Sequence, residues 1–392
     1  MHKFIKTISI ILGISGLILI SACGSQKHEP VYTEKLILET RTIPEFFMKV
    51  IDIIPSSEGE LAFKYYSSAE GAENTVLVKY MGGGYEFDSN NFDFIDEIIP
   101  LKGKEVVYRG GTAEKQWIFK KHIEIYGGQI VKVKVNLSEN IYFLAIEDNK
   151  YVLYTEKENK PQKVAEHMII DDFVFDREEN VAYIFKDSID GGWKLKYKDY
   201  TSESYKIIYK YIIDKDNNPV LLARDNNDVL YLVRGDKSLE VKGNYGEFGN
   251  LIASSSDGYA FSALNKDNSQ WQVITNEDIY TLGGAIRRVK SNKREDIVVS
   301  YTATDGQSKL KFLDQETDYD SGQQINDFYL DDYGNLIYII KGSSGEWQLK
   351  INKTSVGSFV RMDRLFPTSD KIYAAGEKSS GELVYIELTY DK

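Results

Sequence analysis

Apolar and polar residues alternate along most of this chain in runs of five to seven, interrupted by clusters of Gly, Asn, Asp and Ser. Residues 324–360 show the pattern most plainly: INDFYL, LIYIIK and WQLKI are separated by DDYGN and GSSGE and followed by NKTSVG. Period-two alternation bounded by turn residues predicts short, half-buried strands joined by hairpins. One such sheet cannot bury both of its faces, so it requires similar sheets beside it.

The chain supplies them. Trp117, Trp193, Trp271 and Trp347 lie in alike contexts (EKQWIF, DGGWKL, NSQWQV, SGEWQL), 76, 78 and 76 residues apart. Midway between them the same pattern recurs with an aliphatic residue instead, at Val76–Tyr80, Tyr151–Thr155, Val229–Val233, Leu310–Leu313 and Leu383–Ile386. The repeating unit is therefore about 38 residues, the length of one four-stranded propeller blade. The strand before each of these also aligns: ELAFKYY, EVVYRG, IYFLAI, VAYIFK, PVLLAR, YAFSAL, IVVSYT, LIYIIK and KIYAAG. Turns such as DREEN, DKDNN, SSDG and DDYGN precede several of them.

These features predict an all-β fold, a β-propeller of eight or nine four-stranded blades occupying residues 35–392. The last unit stops after its third strand, at 381–388, and an unmatched run, KLILETR (Lys35–Arg41), precedes the first. That run is expected to complete the last blade and close the ring, since an open blade would present an unpaired hydrogen-bonding edge. An open solenoid would leave Lys35–Arg41 without a role. The segment Asp331-Asp332-Tyr333-Gly334-Asn335-Leu336-Ile337-Tyr338 resembles bacterial propeller repeats of the type D-x-x-G-N-hydrophobic-Y. Turn-then-Trp segments such as Ser188–Trp193 resemble the Asp-box of sialidase-like propellers, with spacing one or two residues short and most copies incomplete. Asp-boxes are structural turns, so the resemblance implies a fold and no activity.

Residues 1–22 combine a basic start (Lys3, Lys6) with an apolar stretch from Ile8 to Ile20 and small residues at the end. This is the form of an export signal, too short for a comfortable membrane span. Ile20-Ser21-Ala22-Cys23 resembles the lipobox of bacterial lipoproteins. That resemblance implies cleavage before Cys23, a diacylglyceryl thioether on its sulfur and acylation of the new N-terminus, with several acyl chains giving stable anchoring. Residues 23–34 then form the lipidated cysteine and a polar tether. An ordinary cleaved signal with an incidental or buried Cys23 is the alternative. Cys23 is the one cysteine of the chain, so no intramolecular disulfide can form.

Loss of residues 1–22 moves the net charge from -12 to -14, because Lys3 and Lys6 leave with them. So acidic a chain is expected not to bind nucleic acid, which requires a basic footprint.

Candidate chemistry is sparse. His28, His122 and His167 have no partners at ligand spacing, so no metal site is expected. Asp214-Lys215-Asp216-Asn217-Asn218 begins like a calcium loop, but Pro219 stands where Gly is wanted and Ala223 and Arg224 near the place of the bidentate Glu. A hairpin turn is the better reading there, as it is for Asp331-Asp332 and Asp314–Asp320. No G-x-S-x-G occurs, and no cofactor or catalytic residue is assigned. Gly82-Gly83-Gly84, Gly110-Gly111, Gly127-Gly128 and Gly283-Gly284 read as turns. Arg287, Arg288, Lys290, Lys293 and Arg294 form one basic cluster, read as a solvated stretch or as a site for an anionic envelope polymer. The aromatic residues are expected to be packing between blades. The expected function is a non-catalytic binding or assembly platform at the bacterial cell membrane, held by lipid at Cys23 and engaging an envelope protein or polysaccharide. The alternative is a glycan-acting enzyme, a hydrolase or lyase, with carboxylates on one propeller face.

Overall fold

A computed structural model describes residues 30–39, 47–56, 61–67, 76–82, 85–89, 92–103, 105–112, 114–253, 258–368 and 371–390. Among these residues there are 35 strands and no helix. Seven sheets have four strands and one has seven, all antiparallel. The seven-stranded sheet is two four-stranded units sharing one long strand, Ile123–Val135. Its first half pairs back with Gln116–Lys120 and its second half pairs forward with Ile141–Glu147. Counted this way the chain forms nine units: 47–88, 94–128, 129–167, 169–201, 207–240, 245–282, 284–322, 324–359, and 361–390 completed by 30–39.

First strands of successive units touch one another, which places them innermost around an axis, with fourth strands outermost. The core is divided accordingly into nine apolar clusters, one at each junction between units. The ninth junction closes the ring: Ile53, Leu61 and Tyr65 of unit 1 pack on Tyr373, Ala375, Leu383 and Tyr385 of unit 9. Arg364 pairs with Asp52 at 2.9 Å across the same junction, and the Tyr385 hydroxyl donates to the Ser56 carbonyl. The closing strand is Pro30–Glu39, hydrogen-bonded to Glu382–Tyr390. It fulfils the expectation for the N-terminal strand but begins at Pro30, inside the segment read as tether, and ends at Glu39.

The aligned second and third strands occupy the places expected of them in every unit. Trp193, Trp271 and Trp347 stand at matching positions and pack toward the following unit. Trp117 does not. It lies opposite Gly110, on the face of Val106 and Tyr108 that meets the preceding unit, whereas Trp347 lies opposite Lys341 and Trp271 opposite Leu264, on the face that meets the following unit. That is a one-residue slip, and a slip of one reverses the face of a strand residue. Trp117 accordingly packs against the preceding unit, beside Phe92. The slip also accounts for the glycine pairs 110–111 and 127–128, which lie within strands and are not turns. A Cβ on Gly110 would sit 2.9 Å from the Phe92 ring, and one on Gly127 would sit 2.9 Å from the Trp117 ring. These glycines make room for aromatic rings.

First and second strands are joined by one recurring turn: 136–140, 176–180, 214–218, 292–296 and 331–335. Its first residue, Asp or Asn, is buried and accepts the backbone N–H of the fifth through its side-chain oxygen. The fourth residue (Glu139, Glu179, Asn217, Glu295, Gly334) has φ between 60° and 85°, a left-handed conformation. All these turns lie on one face of the ring; second-to-third-strand turns and the links between units lie on the other.

Candidate functional site

Inner strands carry a β-bulge in most units, and an acid beside it ties neighbouring units together. Lys132 and Lys134 of unit 3 both reach Asp172 of unit 4 at 2.9 Å. Arg288 and Lys290 of unit 7 reach Asp327 of unit 8 at 2.7 and 3.2 Å. Lys134 lies 5.0 Å over the Phe173 ring and Lys290 5.0 Å over the Phe328 ring, so the same device is built twice. Burial draws the Lys290 ammonium below its ordinary pKa, with the Asp327 carboxylate opposing it. Burial alone would raise Asp172, but hydrogen bonds from both lysines outweigh it and hold its carboxyl low.

The basic cluster read from the sequence is divided by this arrangement. Lys290 is committed to Asp327 and the Phe328 carbonyl. Lys293 pairs with Asp332, and Arg294 donates to the Tyr333 carbonyl at 3.0 Å, both on the Asx-turn face. Arg288 shares the Asp327 carboxylate with Lys290, and Arg287 goes elsewhere. The bulge between Ile286 and Arg288 leaves Arg287 outside the ladder. Adjacent strand residues ordinarily point to opposite faces, but a bulge re-aims one of them. Both guanidinium-bearing residues therefore line a single cleft between units 7 and 8, of about 630 Å³.

Unit 7 also contributes Ser300, Thr302 and Ser308 to that cleft, and unit 8 contributes Gln324 and Asn326. The Arg287 Nε donates to the Thr302 hydroxyl at 3.1 Å. Thr302 pairs with Ser308 and Ser300 with Leu310, so the three hydroxyls share the face on which Val298 meets unit 8. At the three matching positions unit 8 has Ile339, Lys341 and Trp347, and unit 4 has Ile184, Lys186 and Trp193. Unit 6 has Ser262, Leu264 and Trp271 there. In unit 8 these positions fill the junction: Ile339 and Trp347 are core residues, and Lys341 covers the Trp347 ring at 5.5 Å. Two serines and a threonine in their place leave the junction hollow and polar.

A second cleft, of about 550 Å³, lies between units 6 and 7 toward the Asx-turn face. Tyr259 and Tyr280 line it with Glu277, Glu295, Asp296 and Asp314. Burial, followed by the nearby carboxylates of Asp278, Glu277 and Asp314, raises the Tyr280 hydroxyl pKa.

The other residues singled out in the sequence are placed as follows. Cys23 and His28 lie outside the described residues. His122 is exposed, and His167 lies 4.0 Å from the Phe185 ring with Nδ1 3.0 Å from Asp187. Asp214 is a turn residue: it accepts from the backbone of Asp216 and Asn218, both at 2.8 Å, and from Arg234 Nε at 2.7 Å. Within Asp314–Asp320, Asp320 takes the Tyr338 hydroxyl at 2.6 Å and Lys350 at 2.9 Å. Burial works to raise Asp320, yet these two donors hold it below the usual carboxylate range. Among the described residues no group of three or more His, Cys, Asp or Glu side chains is arranged to hold a metal ion. The two clefts were missed from sequence because each draws on strands of two units. The signal available for one of them was the run of Ser and Thr where sibling repeats carry Ile, Lys and Trp.

No family model and no curated protein matches this chain. Among solved structures it is similar to a catalytically inactive virginiamycin B lyase from Staphylococcus aureus with quinupristin. Identity there is 9%, the match covers 91% of this chain and 99% of the other, and the TM-score is 0.35. It is similar also to BBS1N in complex with ARL6DN, at 12% identity, 67% and 92% coverage and a TM-score of 0.36.

Proposed function

We propose that this protein is a non-catalytic binding platform of the bacterial cell envelope, anchored to the membrane by lipid at Cys23, with the nine-unit ring presenting the binding surface. The observation that carries the reading is the cleft between units 7 and 8. A junction that could be filled by the repeat's own Ile, Lys and Trp instead carries hydroxyls, amides and two guanidinium groups. Packing gains nothing from that exchange, whereas ligand recognition uses such groups. The test is capture from envelope extract on the immobilised chain. A protein or polysaccharide retained by the wild type and lost with Ser308→Trp supports the platform, and capture of nothing overturns it. Mass spectrometry of the mature N-terminus should find acylated Cys23; an unmodified soluble chain would end the anchoring claim.

The carboxylate-lined cleft between units 6 and 7 favours a second reading, a glycan-cleaving enzyme. Glycosidases place two carboxyl groups about 5 to 10 Å apart, and aromatic rings commonly line sugar sites. Turnover of an envelope glycan that is abolished by Glu277→Gln or Asp314→Asn would favour this reading over the platform.

A further inference from the structure

We infer that the cleft between units 7 and 8 binds an acidic saccharide, a polyhydroxylated ligand carrying an oxyanion. This rests on the platform reading and gives it a ligand class. Three observations converge on it. No residue lining the cleft is acidic, although the whole chain carries a net charge of -12. The bulge at Arg287 is what turns two successive guanidinium groups into one space. Arg288 is held by Asp327 at 2.7 Å, while Arg287 is oriented by a neutral hydroxyl through Nε, and among the described residues no carboxylate pairs with its Nη donors. A planar fork of that kind matches a carboxylate or phosphoryl group.

The remainder of the lining defines what carries the oxyanion. Ser300, Thr302 and Ser308 on one wall and the Gln324 amide on the other offer both donors and acceptors, while Asn326 is occupied by the Met362 carbonyl and the Gln324 amide. Such walls suit a ligand dense in hydroxyl groups. Arg287 would take the oxyanion, and the hydroxyls and the Gln324 amide would take the ring hydroxyls. The cleft volume of about 630 Å³ accommodates a small ligand or one or two residues of a longer polymer. Two sources share this chemistry, a hexuronate and a sugar phosphate, and the experiment separates them.

The purified full chain is titrated calorimetrically at low ionic strength with galacturonate oligomers, glucose 6-phosphate and neutral maltose oligomers. One or both acidic ligands should bind, with the neutral oligomers at least about tenfold weaker, and added salt should weaken the acidic ligands alone. Arg287→Ala should weaken acidic binding by about tenfold or more, the worth of one charge-assisted contact. Ser308→Trp installs the residue that units 4, 6 and 8 already carry, so it should fill the cleft, abolish binding and leave the melting temperature equal or higher. Lys293→Ala, on the opposite face, should bind as wild type. Equal binding by wild type and Ser308→Trp, neutral oligomers binding as tightly as acidic ones, or a single-stranded oligonucleotide binding more tightly than any saccharide would each overturn the inference. If no saccharide binds but envelope capture still responds to Ser308→Trp, this inference fails and the platform stands. If both fail, the platform fails with it.

Discussion

Asp214 offers a direct test of the recurring turn. Its side chain is fully buried, and it accepts two backbone N–H groups at 2.8 Å together with the Arg234 guanidinium at 2.6–2.7 Å. Asp214→Ala removes every one of these acceptors and takes from Arg234, 16% exposed, its 2.6 Å carboxylate, with Asp216 3.9 Å away. Removing one partner of a buried pair costs about 3–5 kcal/mol. Asp214→Asn keeps the Oδ1 acceptor for the two N–H groups and replaces the charged Oδ2 acceptor facing Arg234 with an amide donor. Units 3 and 7 already use Asn136 and Asn292 at this position of the turn. The loss should then be about 1.5–3 kcal/mol, the worth of a hydrogen bond to a charged group. Urea unfolding followed by tryptophan fluorescence measures both values from midpoint and slope, with circular dichroism checking that the transitions coincide. Adding Arg234→Leu to Asp214→Asn should restore part of the loss, because the half-buried guanidinium that faced the lost carboxylate is then gone. If Asn costs as much as Ala, the backbone bonds are not what the side chain is for. If millimolar calcium stabilises the wild type but not Asp214→Asn, the turn is an ion site and the reasoning fails.

Three further outcomes are expected. Asp172, Asp176 and Asp320 have folded pKa values below the ordinary carboxylate value, burial being outweighed in each by hydrogen-bond donors. Their stabilisation is full above the unfolded pKa of about 4 and is lost as pH falls through the folded values. Urea midpoints should therefore fall between about pH 5 and pH 2, less steeply in Asp320→Asn; an unchanged slope in that variant refutes the assignment. Gly284→Ala should destabilise by about 2 kcal/mol or more, since its Cβ would stand 2.0 Å from the Thr302 carbonyl oxygen, whereas Gly283→Ala meets nothing within 4 Å and should be near neutral by the same assay. Deleting residues 1–39 should expose the Glu382–Tyr390 edge and yield oligomers or aggregates on size-exclusion chromatography; a monodisperse monomer would show that the closing strand is dispensable.

The repeat was legible because strands of equal length, with one face to each neighbour, must reuse the same positions. Nine aligned second strands therefore pointed to eight or nine units, and the structure has nine among the described residues, two of them fused into a seven-stranded sheet that a count of sheets conceals. What stayed hidden shares one physical cause: shifts of a single residue. Trp117 looked like its siblings in local sequence, yet a one-residue slip sends it to the opposite junction. The Gly110-Gly111 and Gly127-Gly128 pairs looked like turns because their partners, Phe92, Phe94 and Trp117, become visible only once that slip is known. Asn136 and Asn292 perform the task of Asp176, Asp214 and Asp331, but a search for acidic turns passes over them. Arg287 and Arg288 read as part of one basic cluster with Lys290, Lys293 and Arg294, and only the bulge separates these two along a single cleft. Local pattern thus carries the unit, while the offsets between units carry the clefts. Ser300, Thr302 and Ser308 stand where units 4 and 8 carry Ile, Lys and Trp, and it is this local departure from the repeat that opens the cleft between units 7 and 8.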